Sequence, residues 1–243
     1  MSDTWIVTGG SSDIAAALFD ELDKRSGEKI TVFAQYLSHE IDTDRANIDI
    51  RPIRADLSKS DGVESFIDTI KDSGLTPTHI IHLAAVPYSY VKVKNWDETG
   101  VDEQMRVALY SFAAICKEFL PVMAKAKSGR IVVMLTSAVT GIRPTPGICA
   151  VKGEDTPKFL CEYISVKSAL MGYTESLASE YSSKGIDIYT VSPGMMETKF
   201  LRNIDPRIVE MDAAASEGGA HRSPAELASE ILGRISRPDD RIS

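Results

Sequence analysis

Short runs of apolar and β-branched residues alternate along this chain with longer stretches whose apolar positions recur at helical spacing. The runs "WIVTGG" (5–10), "KITVFAQY" (29–36), "IDIRPIRADL" (48–57), "HIIHLAA" (79–85), "GRIVVMLTS" (129–137) and "IDIYTVSPG" (186–194) read as strands. Between the first two, "SDIAAALFDELDKRS" (12–26) puts Ile14, Leu18, Phe19 and Leu22 on one helical face. "GVESFIDTIKDSG" (62–74) is an amphipathic helix closed by Gly74. Long helices are predicted at 102–127, kinked near Pro121, and at 158–185, ending at Gly185. Strands that are apolar on both faces belong to a parallel sheet with helices on each side. The expected architecture is therefore α/β, a doubly wound parallel sheet forming a single domain over residues 1–243. Residues 141–157 and 195–223 break the pattern and are predicted as loops. Each follows the carboxyl end of a strand, the edge where such sheets bind ligands.

Composition narrows the function. The chain has 243 residues, 43% of them hydrophobic and 26% charged, as expected of a globular protein. Its 27 basic and 35 acidic side chains leave a formal charge of −8, which argues against a broad nucleic-acid surface. Cys116, Cys149 and Cys161 fit neither a disulfide framework nor a zinc site, so reduced thiols in a cytoplasmic protein are expected. The histidines at 39, 79, 82 and 221 show no ligand spacing, and no metal is expected. No stretch is read as a bilayer span, so no membrane partner is expected, and the opening "MSDTWIVTGG" lacks the pattern of a secretory signal.

Two local patterns could carry chemistry. In "TWIVTGGSSDIA", Gly9 and Gly10 give a permissive turn between strand and helix, and Ser11, Ser12 and Asp13 add polar groups. A helix N-terminus so close to a strand end favours an anion, though a serine-capped turn with no ligand would look the same. In "EYISVKSAL", Tyr163 and Lys167 stand four apart and share a helical face. A neighbouring ammonium favours phenolate, which would suit the tyrosine to proton transfer. The alternative is an amphipathic helix with one tyrosine and one solvated lysine.

Taken in order, these segments resemble the short-chain dehydrogenase/reductase family over about residues 4–200. Thr8, Gly9, Ser11, Ser12, Asp13 and Ile14 stand at the family's glycine-rich turn, with Asp13 and Ala15 where glycines are usual. Asp13 is expected to point away from a pyrophosphate, and its carboxylate could cap the helix. Asp56 and Leu57 match the pair beside the adenine ring. Ala84 and Ala85, in "HLAAV", match the small residues that let the ribose approach. Pro193, Gly194 and Thr198 match the segment flanking the nicotinamide.

The resemblance implies a Rossmann-type fold and an NAD(P)-dependent oxidoreductase. Such an enzyme moves hydride between nicotinamide and a small-molecule carbonyl or secondary alcohol. Tyr163 would be the general acid/base, Ser137 would orient the reacting oxygen with Thr136 as the rival one residue earlier, and Lys167 would hold the ribose and lower the tyrosine pKa. Met195, Met196 and Met211 could line the pocket or pack its lid. Ala108 stands where the family often has an asparagine that holds a relay water. No acid precedes Glu40 at the end of the second strand, where Gln35, Tyr36, Leu37 and Ser38 lie, so the balance favours NADP over NAD. A homodimer or homotetramer is implied, although the family's seventh strand has no counterpart after "SPAELASEILGRIS" (223–236). Two other classes remain open: a weakly active or non-catalytic nucleotide-binding regulator, and an epimerase or dehydratase of sugar nucleotides.

Overall fold

The computed structural model describes residues 3–25, 30–139, 156–215 and 220–236. The chain runs β1 (Thr4–Thr8), α1 (Asp13–Arg25), β2 (Ile30–Tyr36), β3 (Ile48–Arg54), α2 (Ser60–Asp72) and β4 (His79–His82). It continues through α3 (Glu98–Met105), α4 (Ser111–Ala126), β5 (Gly129–Met134), α5 (Cys161–Tyr181), β6 (Ile186–Val191), α6 (Pro206–Ala215) and α7 (Pro224–Ile235). The strands form one parallel sheet in the order β3-β2-β1-β4-β5-β6. This is the doubly wound, Rossmann-like sheet that the alternating pattern predicts.

Alternation along the central strands builds two cores. Ile6, Phe33, Ile80, Ile131 and Val133 face one layer, packing with Phe66 of α2, Phe112 and Ile115 of α4, and Leu170 of α5. Val7, Val32, Ala34, Ile81 and Val132 face the other, with Leu18 and Phe19 of α1 and Leu227 and Ile231 of α7. Successive side chains point to opposite faces, so a strand buried on both sides is mostly apolar along its length.

The strand order reverses between β1 and β4, where Thr8 lies beside His82. A parallel sheet splays its connections to opposite faces at such a point and opens a crevice beyond the carboxyl ends of the strands. The turn after β1 enters this crevice. Gly9 has φ +68°, and a Cβ there would lie 3.0 Å from the backbone of Leu83 and Ala84. Only glycine allows this approach without strain.

Several expected elements differ. The strands end earlier than their apolar runs, β5 at Met134 and β4 at His82. The winding irregularity of the long helix lies at Arg106–Tyr110, a π turn, and Pro121 sits within α4. The helical run 98–126 is long and apolar enough to cross a bilayer by length and composition, contrary to the expectation that no stretch would be. Its Phe112, Ile115, Cys116, Phe119, Leu120 and Met123 are buried in the core, as expected of a central helix packed on a sheet. The stretch 195–223, expected to be irregular, contains a short 3-10 turn at Lys199–Asn203 and α6. Asp205 Oδ1 accepts a hydrogen bond from the Arg207 amide at 2.9 Å, so an Asp-Pro start initiates α6. Most of the predicted loop 141–157, with Cys149, lies outside the described residues.

Candidate active site

The helix α5 places Lys167 on its buried face, so Lys167 is not the solvated lysine of the second alternative. Its buried positions are Val166, Lys167, Leu170, Thr174 and Leu177, so Lys167 belongs to the stripe that faces the sheet. A solvated surface lysine would lie on the opposite face. Lys167 is 3% exposed, and its Nζ donates to the Met134 carbonyl, where β5 ends, at 2.9 Å. Burial lowers its pKa to about 8. Nζ lies 5.9 Å from the centre of the Tyr163 ring.

Tyr163 is half-buried and stacks on Tyr88, with ring centroids 4.1 Å apart. Burial raises its phenol to about 12, and a hydrogen bond with the Thr136 side chain partly offsets this. At neutral pH the phenol therefore carries its proton. The hydroxyl that meets it is Thr136, the rival candidate. Ser137 opens the 3-10 turn Ser137–Val139 and is exposed. Because β5 ends at Met134, the extended backbone has stopped two residues before Thr136, and strand alternation no longer decides which hydroxyl faces α5.

The turn after β1 has its own internal bracing. Ser12 caps α1, its Oγ accepting from the Ala15 amide at 3.2 Å. The Asp13 carboxylate does not cap the helix; it accepts from the Lys199 amide at 2.8 Å and pairs with Lys199 Nζ at 3.3 Å. Among the described residues the amides of Asp13 and Ile14 have no backbone partner, as at any helix start that can receive an anion. Ser11 and Ile14 are half-buried on the same turn. Gln35, whose position could have faced a ribose, is buried: its Oε1 accepts from the Gly9 amide at 2.9 Å and its Nε2 donates to the Ala55 carbonyl at 2.7 Å.

Asp56 Oδ1 accepts from the Ser58 amide at 2.9 Å and from its hydroxyl at 2.7 Å, and these bonds hold the carboxyl below its ordinary range. Leu57 is buried in the core beside it, and Ala84 is buried below the turn with Ala85 half-buried next to it. Beyond β6, Gly194 has φ +75°, which favours glycine, and the Thr198 amide donates to the Met196 carbonyl at 2.8 Å. Pro193 is half-buried. Met196 packs in the core and Met211 is 73% exposed.

His82 joins these parts, a role that sequence spacing could not reveal. It is 1% exposed and lies at the switch point. Its Nε2 is 2.8 Å from the Ala108 carbonyl, an obligate acceptor, so Nε2 carries the hydrogen. Nδ1 is then an acceptor and takes the hydrogen of Thr8 Oγ1 at 2.8 Å, while Oγ1 accepts from the Ala84 amide at 3.3 Å. Burial first, and then the Lys167 charge, lower its pKa to about 3, which keeps it neutral. It also stacks on Phe112, with centroids 4.9 Å apart.

Comparison with known proteins agrees with this frame. The family model for short chain dehydrogenase matches residues 3–208. The very-long-chain 3-oxoacyl-CoA reductase of Mus musculus is 26% identical over 84% of this chain, which spans 62% of that relative's length. A 3-oxoacyl-acyl-carrier-protein reductase of Vibrio cholerae is 22% identical over 93% of this chain and 86% of its own length. A Brucella melitensis 3-oxoacyl-acyl-carrier-protein reductase crystallised with bound NAD superposes with a TM-score of 0.74 at 21% identity, covering 95% of this chain and 82% of that one. The match over most of the chain, on a fold of this order, makes the protein a member of the short-chain dehydrogenase family of oxidoreductases.

Proposed function

We propose that the protein is an NAD(P)-dependent carbonyl reductase in which Tyr163 supplies the proton. The observation that carries this reading is the convergence of a phenol, a hydroxyl and a buried ammonium where β5 ends, beside the switch-point crevice. The turn from Thr8 to Ile14 fits a dinucleotide, with unpartnered amides at a helix start and a glycine at positive φ. Asp56, Leu57, Ala84 and Ala85 would border the adenosine; Pro193, Gly194 and Thr198 would border the nicotinamide. The bound dinucleotide supplies the hydride.

Thr136 and Tyr163 donate hydrogen bonds to the carbonyl oxygen, and Tyr163 passes its proton to that oxygen as negative charge develops there. A phenol near pKa 12 is a proton donor throughout the neutral range, which suits reduction. The Lys167 ammonium, held by the Met134 carbonyl, stabilises the phenolate left behind. NADP is proposed over NAD. At the end of β2 no carboxylate precedes Glu40, and the exposed Arg54 donates its Nε to the Leu37 carbonyl at 3.1 Å, which sets a cation there. A 3-oxoacyl thioester is the first substrate to test, given the names of the relatives.

The test is loss of reduced-nicotinamide absorbance over a carbonyl panel that includes 3-oxoacyl thioesters. Binding of the dinucleotide with no turnover of any member would favour a regulator. Within this reading, Thr136→Ala is expected to lower kcat by about tenfold or more, while Ser137→Ala changes it less than about threefold. The reverse ranking would give the role to Ser137.

Lys167 also predicts opposite trends with pH. Its folded pKa of about 8 lies below the ordinary 10.5, so between these values the unfolded chain holds a proton that the folded chain has released. Stability is expected to rise across that window as reduction slows with loss of the ammonium. Denaturant midpoints and initial rates over the same buffers check both trends.

A further inference from the structure

Asp13 is a departure from the family pattern that the mechanism above does not use. It stands where a glycine is usual, at the first position of α1, next to amides free for an anion. A carboxylate alone in that position would repel a pyrophosphate. Its two oxygens are instead taken by one residue 186 positions away: Oδ2 accepts from the Lys199 amide at 2.8 Å, and Oδ1 pairs with Lys199 Nζ at 3.3 Å. Lys199 follows Thr198 directly and opens the turn Lys199–Asn203, at the start of the segment that leads to α6. The contact therefore ties the segment bordering one side of the crevice to the turn bordering the other.

We propose that Asp13 is a positioning residue that fastens the Pro193–Lys199 segment to the cofactor turn, so that dinucleotide binding and the order of this segment are coupled. This rests on the oxidoreductase reading. The backbone bond is the stronger half, because a carboxylate accepting from an amide is charge-assisted and the amide cannot move without its segment. The ammonium arm is weaker, since the Lys199 side chain is 69% exposed and such a pair is screened by water and salt. It neutralises the carboxylate that would otherwise face the phosphates. Pre-ordering a segment lowers the entropy lost when a ligand arrives. By linkage, whatever factor the tie adds to dinucleotide affinity, the dinucleotide adds to the stability of the tie.

The experiment is amide hydrogen exchange of the ligand-free protein over 194–205, followed by titration of NADP and of NAD. In the ligand-free wild type this segment is expected to exchange slowly. Asp13→Ala should speed it by about tenfold or more, while Asp13→Asn, which keeps an acceptor for the amide, should restore most of the protection. Lys199→Met keeps the amide bond and should also remain protected. Asp13→Ala is expected to weaken dinucleotide binding by about fivefold or more, and the dinucleotide should slow exchange in wild type more than in Asp13→Ala.

Wild-type exchange rates in Asp13→Ala would overturn the tie. Faster exchange with unchanged or tighter dinucleotide affinity would overturn the coupling. Because the exchange of the ligand-free protein needs no cofactor, a wild type that bound neither dinucleotide would sink the oxidoreductase reading, and with it the coupling, without touching the measurement of the tie.

Discussion

Tyr163→Phe is expected to leave dinucleotide binding within about twofold of wild type and to lower carbonyl reduction by about 10²–10⁴-fold, the span general acid catalysis supplies. The ring stays, so its stack on Tyr88 and its place beside Lys167 survive, and only the proton donor is lost. The comparison is clean because the hydroxyl's protein partner is Thr136, a side chain that can turn to water when the phenol is gone. Stopped-flow single turnover with a preformed cofactor complex separates the chemical step from binding. Equal rates in wild type and variant would remove Tyr163 from the mechanism and leave the site to binding alone.

His82→Leu should be the most damaging substitution for stability among the residues near the crevice. It fills the space but leaves the Thr8 hydroxyl, the Ala108 carbonyl and the stacking face of Phe112 without their partner. Two buried polar groups stranded in this way cost about 2–5 kcal/mol in total. His82→Asn, which carries both a donor and an acceptor but is shorter, should recover part of the loss. Urea midpoints measure it.

The same residue sets a pH signature. Burial holds His82 at about 3 against an ordinary 6.5, and His79, stacked on Trp5, is held at about 3 in the same way. Between those values the unfolded chain takes up protons that the folded chain excludes, so stability falls as pH drops from about 6.5 towards 3. Urea midpoints across that range should show a shallower acid slope for His82→Asn than for wild type. An unchanged slope would mean that His82 is not the neutral bracket described above.

Much of the architecture was legible because a sheet buried on both faces leaves a simple trace. "WIVT" and "IVVM" are apolar or nearly so and "HIIH" is apolar at its centre, and a glycine pair, an alanine pair and two hydroxyl residues follow at or just beyond their carboxyl ends. The Tyr163–Lys167 spacing was legible for a related reason: four residues on a helix share a face wherever the helix lies.

What escaped depended on distances that sequence spacing does not encode. His82 reaches Thr8 across 74 residues and Ala108 across 26, and those neighbours follow from strand order. Gln35 stands near the end of β2 among the residues expected at the cofactor edge, yet its amide turns inward to brace Gly9. The choice between Thr136 and Ser137 rested on where β5 stops. The start of α6 could have been found, since Asp205 before Pro206 is an ordinary helix-initiating pair. The run "AAASEGGA" just beyond it masked that signal.

The π turn between α3 and α4 has a consequence for how this chain can change. There the Ser111 amide bonds to the Arg106 carbonyl, so one residue more than usual is wound into the turn. Each residue advances a helix by about 100°. Deleting one residue from 106–110 would restore regular winding and keep Phe112, Ile115 and Phe119 in phase with β4 and β5, whereas the same deletion elsewhere in the helix would swing them by about 100°. Inserting three or four residues elsewhere in the helix would keep the phase. The widened turn thus absorbs a one-residue change in length locally, while elsewhere in the helix length changes are tolerated in whole turns only.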